Sequence, residues 1–291
     1  MGVTARFETF LFNITLTDAK IKAGGERREA VVGALNQNYY KSSHKTANSL
    51  YIGSWRKFTR IRPPRDVDVL YTLPKSVYDR YQQRSGNKQS QLLQEIKGVL
   101  LAEFPNTNIK GDGPAVIVPF SAYNVELIPT FKLTDGKYWV CMTVNGGSYK
   151  VADYDAEANQ MSTSNTNTKG NTRDLVRIMK CWQGYCSVPI KSFWLELLAV
   201  QFLDSWKHRG ESKTYYDWMA RDFLKHLTNQ KNTWLVAPGT SDLMNIGEAW
   251  HARASIALGR AEKACDLERD HPDDAGAEWQ KIFGPNIPKS A

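Results

Sequence analysis

Two carboxylates stand two residues apart, at Asp66 and Asp68, inside the apolar run "DVDVLY". A strand points residues i and i+2 to one face. Both acids therefore project together, while Val67 and Val69 face the other way. Like charges so close repel each other when buried, and a divalent cation removes that cost. Oxygen-only ligands suit Mg²⁺ or Mn²⁺, which keep waters and take further ligands from substrate phosphates. A third acid is expected on a neighbouring strand, and Glu126 in "YNVELIPTF" is the candidate, alone in an apolar run. Three acids and two ions are the arrangement for phosphoryl or nucleotidyl transfer. Upstream, Gly53 allows close backbone approach to a phosphate, and the Ser54 N–H and hydroxyl donate to its oxygens. Lys57, Arg60, Arg62 and Arg65 add positive charge along the intervening segment.

These residues need elements to place them. Phe7, Phe10, Leu11 and Ile14, then Val31, Leu35 and Tyr39, recur at helical spacing. They predict two helices, or one interrupted near Gly24-Gly25. Residues 49–53 and 66–73 read as strands, joined by a turn-rich basic segment with Pro63-Pro64. Residues 90–104 form an amphipathic helix stopped by Pro105, and strands follow at 115–120, 124–131 and 137–144. Residues 155–171 are polar and read as a loop. Beyond it, four helices are marked by Leu175 to Trp182, Leu195 to Trp206, Tyr216 to Leu227 and Trp250 to Ala261. The C-terminal "FGPNIPKSA" reads as exposed. The pattern is α+β in two lobes, residues 1–165 and 166–291, and a cleft between lobes is a natural ligand site.

The 291 residues carry a formal net charge of +8, which suits a polyanionic partner such as nucleotides or nucleic acid. Cys141, Cys181, Cys186 and Cys265 match no zinc spacing and imply no disulfide framework. Reduced thiols, the lack of a secretory leader and the lack of a membrane-length apolar run predict a cytoplasmic chain without membrane contact. No Walker A loop and no G-x-S-x-G elbow is present. The five His lack a metal or triad context. Tyr149 and Tyr154 are aromatic candidates for base stacking.

The string "GSWRKFTRIRPPRDVDVL" resembles the signature of polymerase-β-like nucleotidyltransferases. It is most similar to the bacterial cGAS/DncV-like nucleotidyltransferases (CD-NTases), relatives of the oligoadenylate synthases. The matching positions are Gly53, Ser54, Thr59, Ile61, Pro63, Asp66 and Asp68. "NVELIPTF" resembles the strand with the third acid, "RDLVRIMKCW" the helix whose Lys reaches phosphates (here Lys180), and "SFWLELL" the next helix with its Ser–x3–Glu (Ser192 and Glu196). The third acid is usually Asp in this family. Here it is Glu126, or Asp153 or Asp155 serves instead.

The resemblance implies a mixed-sheet catalytic lobe with N-terminal helices and a helical C-terminal lobe. It implies synthesis of a cyclic di- or trinucleotide second messenger from NTPs in bacterial antiphage (CBASS) defence. Pyrophosphate is released and two Mg²⁺ or Mn²⁺ ions serve as cofactor. Asp66, Asp68 and Glu126 would be catalytic and metal-binding, and Gly53, Ser54, Lys180 and Ser192 nucleotide-binding. An effector would bind the product, an activating nucleic acid or regulatory protein is a candidate partner, and in some relatives the C-terminus is conjugated to other molecules. The alternatives are a template-independent RNA or small-molecule nucleotidyltransferase, or a catalytically weak nucleotide-binding sensor.

Overall fold

The N-terminal apolar stripe forms two helices, but the break lies elsewhere than at the glycines. In the computed structural model, which describes residues 2–121 and 123–290, α1 spans Val3–Ile14 and α2 spans Asp18–Tyr40. Thr17 starts α2, its Oγ1 accepting from Lys20 N at 3.4 Å. Gly24 and Gly25 lie inside α2, unbroken. Gly24 is there for packing. A Cβ on it would meet the Trp55 indole at 2.3 Å, so the missing side chain seats the ring.

The chain divides into two compact units, and the division differs from a single boundary near residue 165. A sheet unit comprises residues 16–56 and 64–156, and a helical unit comprises 1–15, 57–63 and 157–291. Helix α1 belongs to the helical unit because Phe7, Phe10, Leu11 and Ile14 bury in its core. Phe7 meets Tyr216 and Trp279 edge-on, and Phe10 packs on Phe283.

In the sheet unit, β1 (Ser49–Tyr51), α3 (Gly53–Lys57, its last residue grouped with the helical unit) and β2 (Val67–Thr72) come first. Helices α4 (Lys75–Gln82) and α5 (Lys88–Glu103) follow, then β3 (Lys110–Asp112), β4 (Ala115–Pro119), β5 (Asn124–Lys132), β6 (Tyr138–Met142) and β7 (Ser148–Ala152). Strand order is β1-β2-β5-β4-β3, with β6 on the far half of β5 and β7 beyond it. Only β2–β5 is parallel among these pairings. Both are therefore strands with a buried face, and Val67, Val69, Val125 and Leu127 are fully buried. Tyr149 is part of this packing, stacked on Trp139 at 5.3 Å with its hydroxyl taken by Gln82, and Tyr154 lies 6.1 Å from Tyr138.

The polar stretch read as a loop is helical: α6 spans Tyr154–Asn167. Its start is satisfied by Asp153, whose Oδ1 accepts from Ala156 N at 2.8 Å, and its one buried apolar residue is Met161. One anchor is too little for periodicity to show. The helical unit continues with α7 (Asn171–Tyr185), α8 (Ser192–Ser205), α9 (Tyr216–Thr228), the hairpin β8 (Trp234–Val236) and β9 (Leu243–Asn245), α10 (His251–Leu267) and α11 (Pro272–Phe283). Pro238-Gly239 lies in the turn of this hairpin.

The tail packs through Phe283, Gly284 and Ile287, while Pro285, Lys289 and Ser290 are exposed. Phe283 and Ile287 are fully buried. Asn13 donates to Asn286 O, and Arg6 donates to Lys289 O. Gly276 makes this possible, since a Cβ there would lie 1.9 Å from Lys289 O. No helix among the described residues is long and apolar enough to cross a membrane.

Candidate active site

Strand β2 begins directly after Asp66, and its parallel register with β5 sets Val67 beside Val125 and Asp68 beside Glu126. Alternation then places Asp66, Asp68, Asn124 and Glu126 on one face and the valines in the core. Asp66 is further held by Asn124, whose Nδ2 donates to Asp66 Oδ1 at 2.8 Å. Asn124 was not among the expected site residues. The signal available was its place two residues before Glu126.

The Gly-Ser pair reaches the same acids. Gly53 opens α3 at φ +53°, a conformation natural to glycine. A Cβ on Gly53 would lie 2.5 Å from Asp68 Oδ2, so the backbone passes directly against that carboxylate. Ile52 N donates to Asp68 O at 3.1 Å, and Trp55 Nε1 donates to Asp66 O at 2.9 Å. The Trp55 ring stacks on Tyr51 at 5.3 Å. A turn, a short helix and a strand are thus stitched together around the acids. A depression of about 360 Å³ opens beside Asp66, bordered by Arg65, Phe120, Tyr123 and Asn124.

Acidic groups gather on this face. Burial first, then the charges of Asp66 and Asp68, push the Glu126 carboxyl up to about 7. Asp112 of β3 adds to the same effect. No group of three His, Cys, Asp or Glu side chains among the described residues is arranged to hold a metal ion. The donor set fits a divalent cation through its chemistry, since it offers oxygen ligands from acidic side chains. A Mg²⁺ ion commonly uses one or two carboxylates and completes its shell with water and phosphate oxygens. The alternatives to Glu126 are committed elsewhere, Asp155 in an ion pair with Arg56 and Asp153 at the start of α6.

Lys180 and Ser192 lie in the helical unit, and both have protein partners. Lys180 is buried, its Nζ donating to Glu196 Oε1 at 2.5 Å and to Thr59 Oγ1 at 3.0 Å. Ser192 Oγ donates to Gln183 Oε1 at 2.9 Å. The basic segment between the two motifs is also occupied. Lys57 is buried and paired with Glu196 at 2.6 Å and Glu157 at 3.3 Å, and Arg62 donates to Thr15 O and Phe12 O. Charge expected to face ligand phosphates is, at these two positions, spent on the protein.

Comparison with known proteins identifies the family and the fold. Residues 1–165 match the model of the Second Messenger Oligonucleotide or Dinucleotide Synthetase domain. A Bacillus cereus (strain VD146) protein named as a probable cyclic nucleotide synthase is 22% identical over 275 residues, 81% of each chain. Escherichia coli MS115-1 CdnC, solved in complex with HORMA-deltaN, superposes with a TM-score of 0.72 at 17% identity over 98% of each chain. Its structure with ATP gives 0.70 at 19% identity, again over 98% of each chain. Vibrio cholerae DncV, a cyclic AMP-GMP synthase solved with a linear intermediate, gives 0.71 at 13% identity over 95% of this chain and 93% of that one. The family match spans more than half of the residues, and the fold is that of the polymerase-β-like nucleotidyltransferases. The chain belongs to the Second Messenger Oligonucleotide or Dinucleotide Synthetase family, the bacterial CD-NTases, nucleotidyltransferases that make cyclic oligonucleotide messengers.

Proposed function

We propose that this protein condenses NTPs into a cyclic di- or trinucleotide through the acidic face of β2 and β5, in a divalent-cation-dependent reaction. The observation that carries the reading is the meeting of Gly53 with Asp68, and of Asp68 with Glu126, on one strand pair. In each transfer a ribose hydroxyl attacks the α-phosphorus of a donor NTP. A new P–O bond forms, the bond to pyrophosphate breaks, and the hydroxyl proton leaves to a base. Asp66 and Asp68 would hold the cations, with Glu126 completing the donor set and helping to activate the hydroxyl. When bound, such ions supply Lewis-acid stabilisation of the charge that develops on phosphate oxygens.

The chain's own groups do the positioning. Gly53 keeps the α3 backbone close to Asp68, and Ser54 offers its N–H and hydroxyl to the donor triphosphate. Asn124 orients Asp66 by its amide hydrogen bond. Lys180 and Ser192 belong to the proposal as phosphate contacts of the helical unit. In that role Lys180 would exchange Glu196 or Thr59 for a phosphate oxygen, which Lys180→Met reports as a raised KM for NTP.

The product would act on an effector in antiphage signalling. A regulatory protein partner is supported by the HORMA complex of the similar CdnC. The test is incubation with Mg²⁺ or Mn²⁺ and four labelled NTPs, followed by phosphatase. Wild type is expected to leave a resistant product. Glu126→Gln is expected to reduce it by about 10²-fold or more. Full activity in Glu126→Gln would remove Glu126 from the site.

A further inference from the structure

The segment between the Gly-Ser and Asp-x-Asp motifs is held by the helical unit in an unusual way. Arg173, Arg177 and Lys180 stand on one face of α7, at spacings of one and two turns. They reach three successive carbonyls: Arg173 Nε to Lys57 O at 3.0 Å, Arg177 Nη2 to Phe58 O at 2.8 Å and Lys180 Nζ to Thr59 O at 3.4 Å. The middle residue, Phe58, has φ +59°. For a bulky side chain this is a genuine outlier, and such conformations persist where surrounding contacts over-determine them.

Beneath the ladder lies one carboxylate. Glu196 Oε1 accepts from Lys180 Nζ at 2.5 Å and Thr59 Oγ1 at 2.9 Å, while its Oε2 faces Lys57 Nζ at 2.6 Å. Lys57, Thr59, Lys180 and Glu196 are all buried. Glu157 adds a second negative charge against Lys57, so two cations face two anions. Fully satisfied buried networks of this sort specify one arrangement, and partly satisfied ones are costly.

We propose that Glu196 and Thr59 are positioning residues for nucleotidyl transfer: together with the α7 cations they lock residues 57–63, which lie in the chain between Gly53-Ser54 and Asp66-Asp68. Neither residue touches the acids in this account. They act through the chain, by fixing the path that connects the two halves of the motif. The inference rests on the proposed reaction, but one of its readouts does not.

The test compares Thr59→Val, which keeps shape and loses the hydroxyl, with Thr59→Ser, which keeps the hydroxyl. Hydrogen exchange is measured alongside initial rates with saturating NTP, well below each Tm. Thr59→Val is expected to speed amide exchange in residues 57–63 by about tenfold or more, with the rest of α7 and α8 unchanged. It is expected to lower kcat by about tenfold or more, with KM for NTP within about twofold. Thr59→Ser should stay within about twofold of wild type in both. Glu196→Gln should reproduce Thr59→Val wherever it folds. The proposal is overturned if exchange in 57–63 is unchanged in Thr59→Val, or if Thr59→Val shifts Tm while kcat stays at the wild-type value. If wild type makes no product, the reaction reading fails, and the exchange result still decides whether Thr59 locks the segment.

Discussion

Two clusters of charge in this protein are built on opposite plans. On β2 and β5, Asp66, Asp68 and Glu126 gather like charges, and Glu126 is pushed up to about 7 by burial and by its acidic neighbours. In the helical unit, Glu196 is more deeply buried, yet it is held far below the usual carboxylate range. Burial alone would raise it, but Lys180 and Lys57 outweigh burial. The difference separates a cluster of like charges from one in which opposite charges are set against each other. Neighbouring cations hold a buried carboxyl down, whereas neighbouring acids and burial push one up, as happens where a cation or proton is to be bound.

That contrast can be broken at several points. The largest effect is expected at the acids, where Asp66→Asn with Asp68→Asn should lower product formation by more than about 100-fold, beyond what outer partners supply. The same double variant should lose the Mg²⁺- or Mn²⁺-induced rise in Tm expected for wild type, because metal binding to the native state alone raises Tm. Asn124→Ala should fall next, by about 10–100-fold in activity or metal affinity, as Asp66 loses its orienting amide. Metal titration by calorimetry separates this from a folding defect.

At the compensated cluster the loss is in stability. Glu196→Leu leaves Lys57 and Lys180 buried with one fewer anion, and urea denaturation should show a loss of about 3–5 kcal/mol. The smallest effect is the pH dependence. Because the folded pKa of Glu196 is depressed, its contribution is complete above the ordinary carboxylate range. It is lost as pH falls below that range toward the folded value. Urea midpoints at pH 7 and pH 3 should therefore differ less in Glu196→Gln than in wild type. An equal or larger acid sensitivity in that variant would contradict the compensated reading.

The sheet unit was the more legible region. Strands β2, β4, β5 and β6 followed from apolar runs bounded by turns, and the acids followed from the alternation within them. Where one side chain decided the structure, the pattern misled. Gly24 reads as a helix break because its role depends on Trp55, thirty-one positions away in sequence. Helix α6 exposes polar residues on nearly every side and shows no period. Gly276 and Arg6 bury a tail whose composition suggests solvent. Lys57 and Arg62 look like ligand-facing charge, and only the fold reveals Glu196 and the α1 carbonyls as their partners. Asn124 escaped because an amide before a strand is ordinary until a parallel register sets it beside Asp66.

The central claim is that the clustered acids of β2 and β5 carry out cyclic nucleotide synthesis. Mass spectrometry of phosphatase-treated reactions, with all four NTPs and Mg²⁺ or Mn²⁺, tests it most directly. Wild type is predicted to yield a cyclic oligonucleotide that Asp66→Asn with Asp68→Asn does not make. Equal product from the folded double variant, or no cyclic product from wild type under any nucleotide and metal combination, would contradict it.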